Sequence, residues 1–558
     1  MIATKPDDDV LFDALRLALP LTDRALIEPD GSFMSGPELL VQIEALRCLQ
    51  CSPPEDHTHR HLVLDRGGSQ GAVAILAAIT SGSTLVIPAE ASGAMNSLAK
   101  AFSPTIVFDS STRMHPVDHP DFGSSAEAPR FGPQLPHHGI ILPTSGTTGE
   151  PKLVPLSTSQ LLASAQTVAT TLSLKPQEVS IALMPFNHIH GLVASLLAPL
   201  LAGSSIVCTK GFRGGETIRL IDQFEVSWFS AVPTILRSFE TDSIRHEWLP
   251  RKPFRFLRSA SSALPISLHM RLEERFACPV VEAYGMTEAS HQIASNSPSE
   301  RIFGSVGRPR NCSVITLGPE DEILPAGRLG ELAINGHSVT AGYLNQPPRE
   351  KSGYLRTGDL GWVDRNGHVW IHGRAKEVIN RGGETIAPRD IEDALLSIPE
   401  IKEAIAFGTL DRHLGEVPAA MIVLNSPEQF NERSIRHSLI PLLSVRSIPV
   451  LIQNVLAIPT GRTGKPDRTS ARTQFLENKL PLTSGPSTEQ AFDLVKSCWK
   501  KVLGPASGTD EHFLDAGGDS LLAVELAAQL ENAGLKLSVL DIAANPTIAA
   551  LSYQASLL

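Results

Sequence analysis

The sequence predicts a multidomain α/β protein: a large α/β domain of several subdomains, a smaller α+β subdomain and an all-α four-helix bundle. Three observations carry this expectation. Over residues 1–373, short apolar, β-branched runs alternate with helical stretches, the pattern of buried parallel strands with covering helices. Around 371–376 that rhythm changes to a smaller α+β pattern. Beyond a polar, proline-containing stretch at 480–487, apolar residues recur at spacings of three and four.

In chain order, 62–64 read as a strand, 70–78 as a helix and 84–87 as the next strand. Residues 106–108, 179–183 and 226–229 read as further strands. The apolar stretch 191–207 has the composition of a membrane span, but Pro199, Gly203 and the serines that follow interrupt it. A buried helix leading into a strand is the better reading, and no membrane association is expected. Phe492, Val495, Trp499 and Val502 share one face of an amphipathic helix. Leu522, Leu526 and Leu530 do the same in a second, and 548–551 belong to a last one. The expected boundaries are 1–373 for the large domain, 374–478 for the small one, 479–487 for a linker and 488–558 for the bundle.

Bulk composition narrows the function classes. A chain of 558 residues is too long for one core, and 42% hydrophobic with 19% charged residues describes a soluble globular protein. A net charge of −11 leaves no basic surplus for neutralising phosphates, so no nucleic-acid partner is expected. The N-terminus, MIATKPDDDV, lacks a hydrophobic signal core, and six scattered cysteines fit a reducing, cytoplasmic compartment. Cys48 and Cys51 with His57, His59 and His61 could hold zinc, but a single CxxC in a proline-rich polar segment reads better as a loop.

The apolar run 140–142 empties into Thr144, Ser145, Gly146, Thr147, Thr148 and Gly149, then reaches Lys152. Glycines let backbone N–H groups approach an anion, and the hydroxyls add donors, which is the chemistry of a phosphate cradle. It is not the P-loop, since Gly149 lies three residues before the lysine and Leu153 follows it. Alone, the segment fits a flexible Ser/Thr/Gly turn equally well.

Its companions decide. Downstream come Tyr284-Gly285-Met286-Thr287-Glu288, Thr357-Gly358-Asp359-Leu360, Gly373-Arg374-Ala375-Lys376 and Gly461-Arg462-Thr463-Gly464-Lys465. In this order and spacing, the chain from about residue 20 to 475 resembles the adenylate-forming superfamily of acyl-CoA synthetases and nonribosomal peptide synthetase adenylation domains. Asp515-Ala516-Gly517-Gly518-Asp519-Ser520-Leu521 resembles the attachment site of a peptidyl or acyl carrier domain. The resemblance implies ATP, Mg2+ and 4′-phosphopantetheine as cofactors, the last carried on Ser520. It also implies a mobile small domain and a phosphopantetheinyl transferase as modifying partner. Thr144 to Gly149 would hold phosphates, and Lys152 would anchor that loop or assist it. Tyr284 would lie against adenine with Gly285 in the same cofactor-binding set, Thr287 would touch the α-phosphate, Glu288 would carry Mg2+, and Asp359 would accept from the ribose hydroxyls. Arg374 belongs to the nucleotide-binding set and Lys376 to the hinge, Gly382 and Gly383 would face the pantetheine channel, and Lys465 would bridge carboxylate and phosphate. The chemistry agrees: a carboxylate becomes a usable acyl donor once its oxygen is part of AMP, and a thiol can then take the acyl group.

Amino-acid-activating relatives place an aspartate early in the acyl pocket, whereas this chain has Pro185-Phe186-Asn187-His188-Ile189-His190-Gly191 there. The segments 258–264 and 283–291 look particularly like oxalate–CoA ligases, although those lack a fused carrier. By that likeness His188, Ser261, Ser262 and His291 form a small polar acyl pocket. The expected substrate is a short carboxylic acid with a second polar group, and protonated histidines would favour a second carboxylate most at low pH. The expected activity is adenylation followed by loading of the protein's own carrier, with delivery to a condensation or tailoring enzyme in trans. A free acyl-CoA ligase with an incidental carrier and a non-catalytic carrier scaffold are the alternatives.

Overall fold

The computed structural model describes residues 10–48, 60–65, 67–88, 106–108, 114–116, 138–144, 152–344, 353–411, 414–425, 430–460, 466–477, 488–504, 512–513, 516, 518, 520–535, 537 and 539–556. The chain separates into two compact units, Met1–Ile371 and His372–Leu558.

Among its described residues, the first unit is organised around a nine-stranded and a six-stranded sheet. In the larger, a parallel run extends from Leu26–Ile27 through Ser205–Cys208, Val179–Ala182, Trp228–Ala231 and Phe256–Ala260 to Val280–Met286. Phe33–Met34 closes one edge antiparallel, and His291–Ser295 with Arg308–Pro309 closes the other. The four inner strands are buried at every position, as a sheet covered on both faces requires. The expected strand at 226–229 lies two residues further on, at Trp228–Ala231. The Val226 N–H bonds back to the Ile221 carbonyl of the preceding helix, and the Ser227 N–H reaches the Val179 carbonyl on the neighbouring strand.

The six-stranded sheet runs Met114–Pro116, Ile106–Phe108, Arg60–Asp65, Ser83–Pro88, Gly139–Thr144, Lys152–Ser157, with antiparallel pairs at both edges. Gly139–Thr144 and Lys152–Ser157 form a hairpin in which Thr144 pairs with Lys152. The segment between them therefore joins two strands, whereas a P-loop opens a helix. Ser157 caps the helix Thr158–Thr171, accepting from the Gln160 N–H at 3.3 Å while Gln160 Oε1 accepts from the Ser157 N–H at 2.9 Å. The apolar stretch 191–207 opens as a buried π-helical turn, Gly191–Leu197, then becomes helix Ala198–Leu201 and strand Ser205–Cys208. Glycine is required at its start, because a Cβ on Gly191 would stand 2.0 Å from the Pro185 carbonyl oxygen. No described helix is long and apolar enough to cross a membrane. His61, one of the residues weighed for zinc, is buried in Arg60–Asp65 with Nδ1 3.1 Å from the Ala78 carbonyl. Cys51, His57 and His59 lie outside the described residues.

The second unit carries a five-stranded sheet dominated by the hairpin of Ile401–Asp411 and Gly415–Leu424, with helices Pro388–Leu396, Glu432–Leu439 and Arg468–Glu477. Arg468 ties this sheet to the chain entering the unit: it donates to Glu377 at 2.9 Å, to Glu392 and to the Ala406 carbonyl. Four helices follow, Thr488–Leu503, Ser520–Asn532, Val539–Ala544 and Ile548–Ser556. Their core is the stripe read from the sequence, with Val495, Trp499, Leu526, Leu530, Ile548 and Leu551 buried and Phe492, Val502 and Leu522 packed at its margin. Arg436 on Glu432–Leu439 reaches across to the bundle, donating to Asp541 at 2.9 Å, with both side chains largely buried.

An aromatic cluster braces the outer face of the large sheet. The Phe239 ring meets Phe229 edge-on at 5.2 Å and stacks on Phe276 at 5.1 Å. Phe239→Ala is expected to destabilise the first unit by about 3–5 kcal/mol, since the cavity is walled by rings that cannot collapse into it. Urea unfolding followed by tryptophan fluorescence measures this, and a loss below about 1 kcal/mol would contradict the packing argument.

Candidate active site

Strands that stop together build the site. Trp228–Ala231, Phe256–Ala260 and Val280–Met286 are parallel neighbours, so their carboxyl ends lie side by side, the usual location of ligand sites in such sheets. Val280–Met286 passes into a short 3-10 turn, Thr287–Ala289, and His291–Ser295 returns antiparallel from the same edge. The return is tight: a Cβ on Gly285 would sit 1.6 Å from the His291 carbonyl oxygen, so the glycine of Tyr-Gly-Met-Thr-Glu is sterically required. Ser261, Ser290 and His291 all hold positive φ, at 75°, 53° and 98°. Such strain in non-glycine residues gathers where surroundings fix side chains for function.

One group of side chains fits a nucleotide and a cation. The Tyr284 hydroxyl donates to Asp359, which is buried on the strand Leu355–Val363. Glu288 is buried, with Oε1 accepting from the Tyr343 hydroxyl at 2.8 Å. Its backbone carbonyl accepts from the Thr340 N–H at 2.7 Å. Lys152 places its ammonium 4.6 Å from the centre of the Tyr343 ring, so the hairpin bearing the Ser/Thr/Gly loop is linked to Glu288 through that tyrosine. Thr144 donates to the Lys152 carbonyl at 3.3 Å across the hairpin. Thr287 is half-buried beside Glu288. The set supplies an acceptor-only carboxylate of the kind Mg2+ takes and a second suited to hydroxyls.

A second group is small, polar and buried. His190 Nδ1 lies 3.0 Å from Ser261 Oγ and His190 Nε2 2.7 Å from Ser230 Oγ. The His190 ring stacks on His291, centroids 5.0 Å apart. Arg258, with no exposed surface, donates to Ser230 Oγ at 2.9 Å, to His291 Nε2 at 3.1 Å and to Gln292 Oε1 at 3.1 Å. Burial pushes its guanidinium down to about 9, which leaves it charged at neutral pH.

The structure thus brings Ser261 and His291 together, and the histidine between them is His190. His188 sits half-buried two residues earlier, in the turn that precedes the π-helical segment, and Ser262 is half-buried beside Ser261. Tyr284, Gly285, Thr287, Glu288, Asp359, Thr144 and Lys152 fall in the same unit. Arg374 and Lys376 are exposed at the start of the second unit, and Gly382 and Gly383 form an exposed turn there with φ of 55° and 87°. Ser145 to Gly149 and Lys465 lie outside the described residues. Ser520 opens the helix Ser520–Asn532. Tyr343, Ser230, Arg258 and Gln292 carried no expectation of their own. Arg258 had a visible signal, a lone charge inside the apolar run of a buried strand.

Comparison with known proteins fits this geometry. Residues 80–344 match the AMP-binding enzyme family, and residues 493–552 match the phosphopantetheine attachment site. The oxalate–CoA ligase of Saccharomyces cerevisiae is 38% identical over 63% of this chain and 64% of its own length, so the match spans just under two thirds of that relative. The sulfoacetate–CoA ligase of Cupriavidus necator is 36% identical over 62% of this chain and 68% of its own. The oxalate–CoA ligase of Arabidopsis thaliana is 33% identical over 66% and 71%. Among solved structures, ATP-bound MatB from Rhodopseudomonas palustris superposes with a TM-score of 0.72 at 22% identity, covering 84% of this chain and 99% of that one. The Bacillus subtilis o-succinylbenzoate CoA synthetase with its acyl-adenylate gives 0.69 at 24%, covering 85% and 98%. With the ordered motifs, the fold and these relatives in agreement, the chain belongs to the AMP-binding family of adenylate-forming acid–thiol ligases, and it carries a phosphopantetheine attachment-site domain behind the ligase.

Proposed function

We propose that this protein activates a short carboxylic acid carrying a second anionic or polar group, at the expense of ATP, and loads it onto its own carrier domain for delivery to a partner biosynthetic enzyme. The observation that supports the substrate class best is the buried cluster of Arg258, His190, His291, Ser230 and Ser261 at the strand ends. It offers fixed donors and one permanent charge in place of an apolar tunnel. Two relatives carry names of doubly acidic substrates, oxalate and sulfoacetate, which points the same way.

In this reading Tyr284 and Asp359 hold the adenosine, with Asp359 accepting from the ribose hydroxyls. The hairpin loop, residues 144–149, and Lys152 hold the distal phosphates. Mg2+ bound by Glu288 would neutralise charge on the phosphates, and Tyr343 fixes the carboxylate that receives it. Lys465 bridges the acid's carboxylate and the α-phosphate as negative charge gathers there. Rotation at Lys376 then exchanges the adenylating arrangement for the one in which a thiol reaches the acyl group. Ser520, at the start of its helix, is the point from which a phosphopantetheine arm would extend, after modification by a phosphopantetheinyl transferase. A second reading keeps the same acid but uses free CoA, because the named relatives are CoA ligases.

Acid-dependent pyrophosphate exchange tests the substrate class. With oxalate, sulfoacetate, glycolate, lactate, valine, benzoate and octanoate compared, the doubly acidic short acids should lead. Each buried donor left unpaired costs about 1–3 kcal/mol, so an alkyl acid should fall behind by about tenfold or more. Strongest exchange on octanoate or valine, unchanged in His291→Ala, would overturn the assignment. Lys465→Ala should lower exchange by about a hundredfold or more while ATP binding persists. Near wild-type exchange in that variant would remove Lys465 from the chemistry. Ser520→Ala should keep exchange and abolish covalent loading, read by mass spectrometry of the Ser520 peptide in the holo-protein. Equally fast release onto free CoA by that variant would favour the second reading.

A further inference from the structure

We propose that Arg258 is a positioning and specificity-determining residue: it holds His291 as the neutral, Nδ1-protonated tautomer and is itself the fixed cation that selects acids with a distal anion. The selectivity half rests on the substrate reading above, whereas the tautomer half stands on geometry alone.

A guanidinium has donors and no acceptor. Arg258 Nη2 lies 3.1 Å from His291 Nε2, so that nitrogen must present its lone pair and the ring proton must reside on Nδ1. A doubly protonated His291 would set N–H against N–H at this distance. The same Nη2 donates to Gln292 Oε1, and Gln292 is oriented for this by its own amide nitrogen, 3.5 Å from Thr171 Oγ1. Nη1 is occupied by Ser230 Oγ. The arginine is therefore aimed by three neutral partners and cannot rotate away from the imidazole.

Charge compensation is incomplete. Among the described residues no carboxylate pairs with Arg258, and its Nε is buried without a hydrogen-bond partner. The nearest buried acid by strand order is Glu282, which pairs in register with Ser259 and so belongs to the opposite face of the sheet, where it accepts from the Leu264 N–H at 3.2 Å. The other polar and titratable groups around Arg258 are His190, stacked on His291, with Ser230 and Gln292. A buried cation facing only neutral groups is costly and favours any anion delivered nearby. Burial lowers its proton affinity, yet the guanidinium stays charged throughout the histidine range. The preference for a doubly acidic substrate should therefore not weaken between pH 6 and 8, contrary to expectation for a pocket charged by protonated histidines.

The test starts with the wild-type holo-protein, labelled with 15N-histidine and assigned by His291→Asn. Long-range 1H–15N spectra should show His291 protonated on Nδ1 only, unchanged from pH 6 to 8. An Nε2–H pattern, or titration near the ordinary histidine value of about 6.5, overturns the proposal. Exchange kinetics then address selectivity. Arg258→Met should raise KM for the preferred doubly acidic substrate tenfold or more relative to that for benzoate, and Arg258→Lys should restore it only in part. Equal changes for both acids overturn the selectivity role. Should no doubly acidic substrate be activated by wild-type protein, the substrate reading fails and the tautomer spectrum still decides the positioning role.

Discussion

The parallel register of Trp228–Ala231, Phe256–Ala260 and Val280–Met286 stops three strands at one edge, and the placement of the chemistry follows from that arrangement. Side chains leaving the sheet there come from segments far apart in sequence yet separated in space by single strand spacings. Ser230, Arg258 and the turn after Met286 are lateral neighbours for this reason, and His291 joins them because the chain reverses at once. The reversal works only with Gly285 beneath the His291 carbonyl. Neutral donors and one guanidinium are thus gathered at these strand ends without any long-range adjustment.

What the sequence discloses depends on which physical signal each part leaves. Strands buried on both faces leave apolar runs, so Val179–Ala182 and Ser205–Cys208 are legible. The bundle leaves a helical stripe, and Val495, Trp499, Leu526 and Leu530 occupy its core. The strand Trp228–Ala231 is misjudged by two residues because Val226 is apolar for another reason, packing under the turn. That His190 stacks on His291 cannot be read from spacing. It depends on where a π-helical turn begins, which is set by the contact of Gly191 with Pro185. Tyr343 is invisible for a similar reason: its partners, Lys152 and Glu288, lie on other segments, and only folding brings them within reach.

The second unit shows how a small sheet can be held rigid around a segment expected to move. Arg468 ties Glu377, immediately after Lys376, to Glu392 and the Ala406 carbonyl. Two carboxylates hold this guanidinium firmly charged despite its burial. Rotation at the hinge would therefore carry the sheet as one body with Arg468, since the anchor lies beyond the hinge residue. Arg381 adds to the stiffness, donating to the Arg446 carbonyl at 2.6 Å directly before the Gly382–Gly383 turn.

The contact of Arg436 with Asp541 joins the bundle to that body through a largely buried ion pair. Its consequence is one of reaction order. A thiol borne on a domain seated in this way is presented at an effective concentration set by chain geometry and independent of dilution. If the protein loads its own carrier as proposed, that transfer would be first order in protein, while transfer to any diffusible thiol would scale with the amount of that thiol in solution. As the diffusible pool fell, the balance between the two acceptors would shift toward the tethered one without any change in the ligase itself. Covalent attachment of the carrier would then make the choice of acceptor a response to thiol supply.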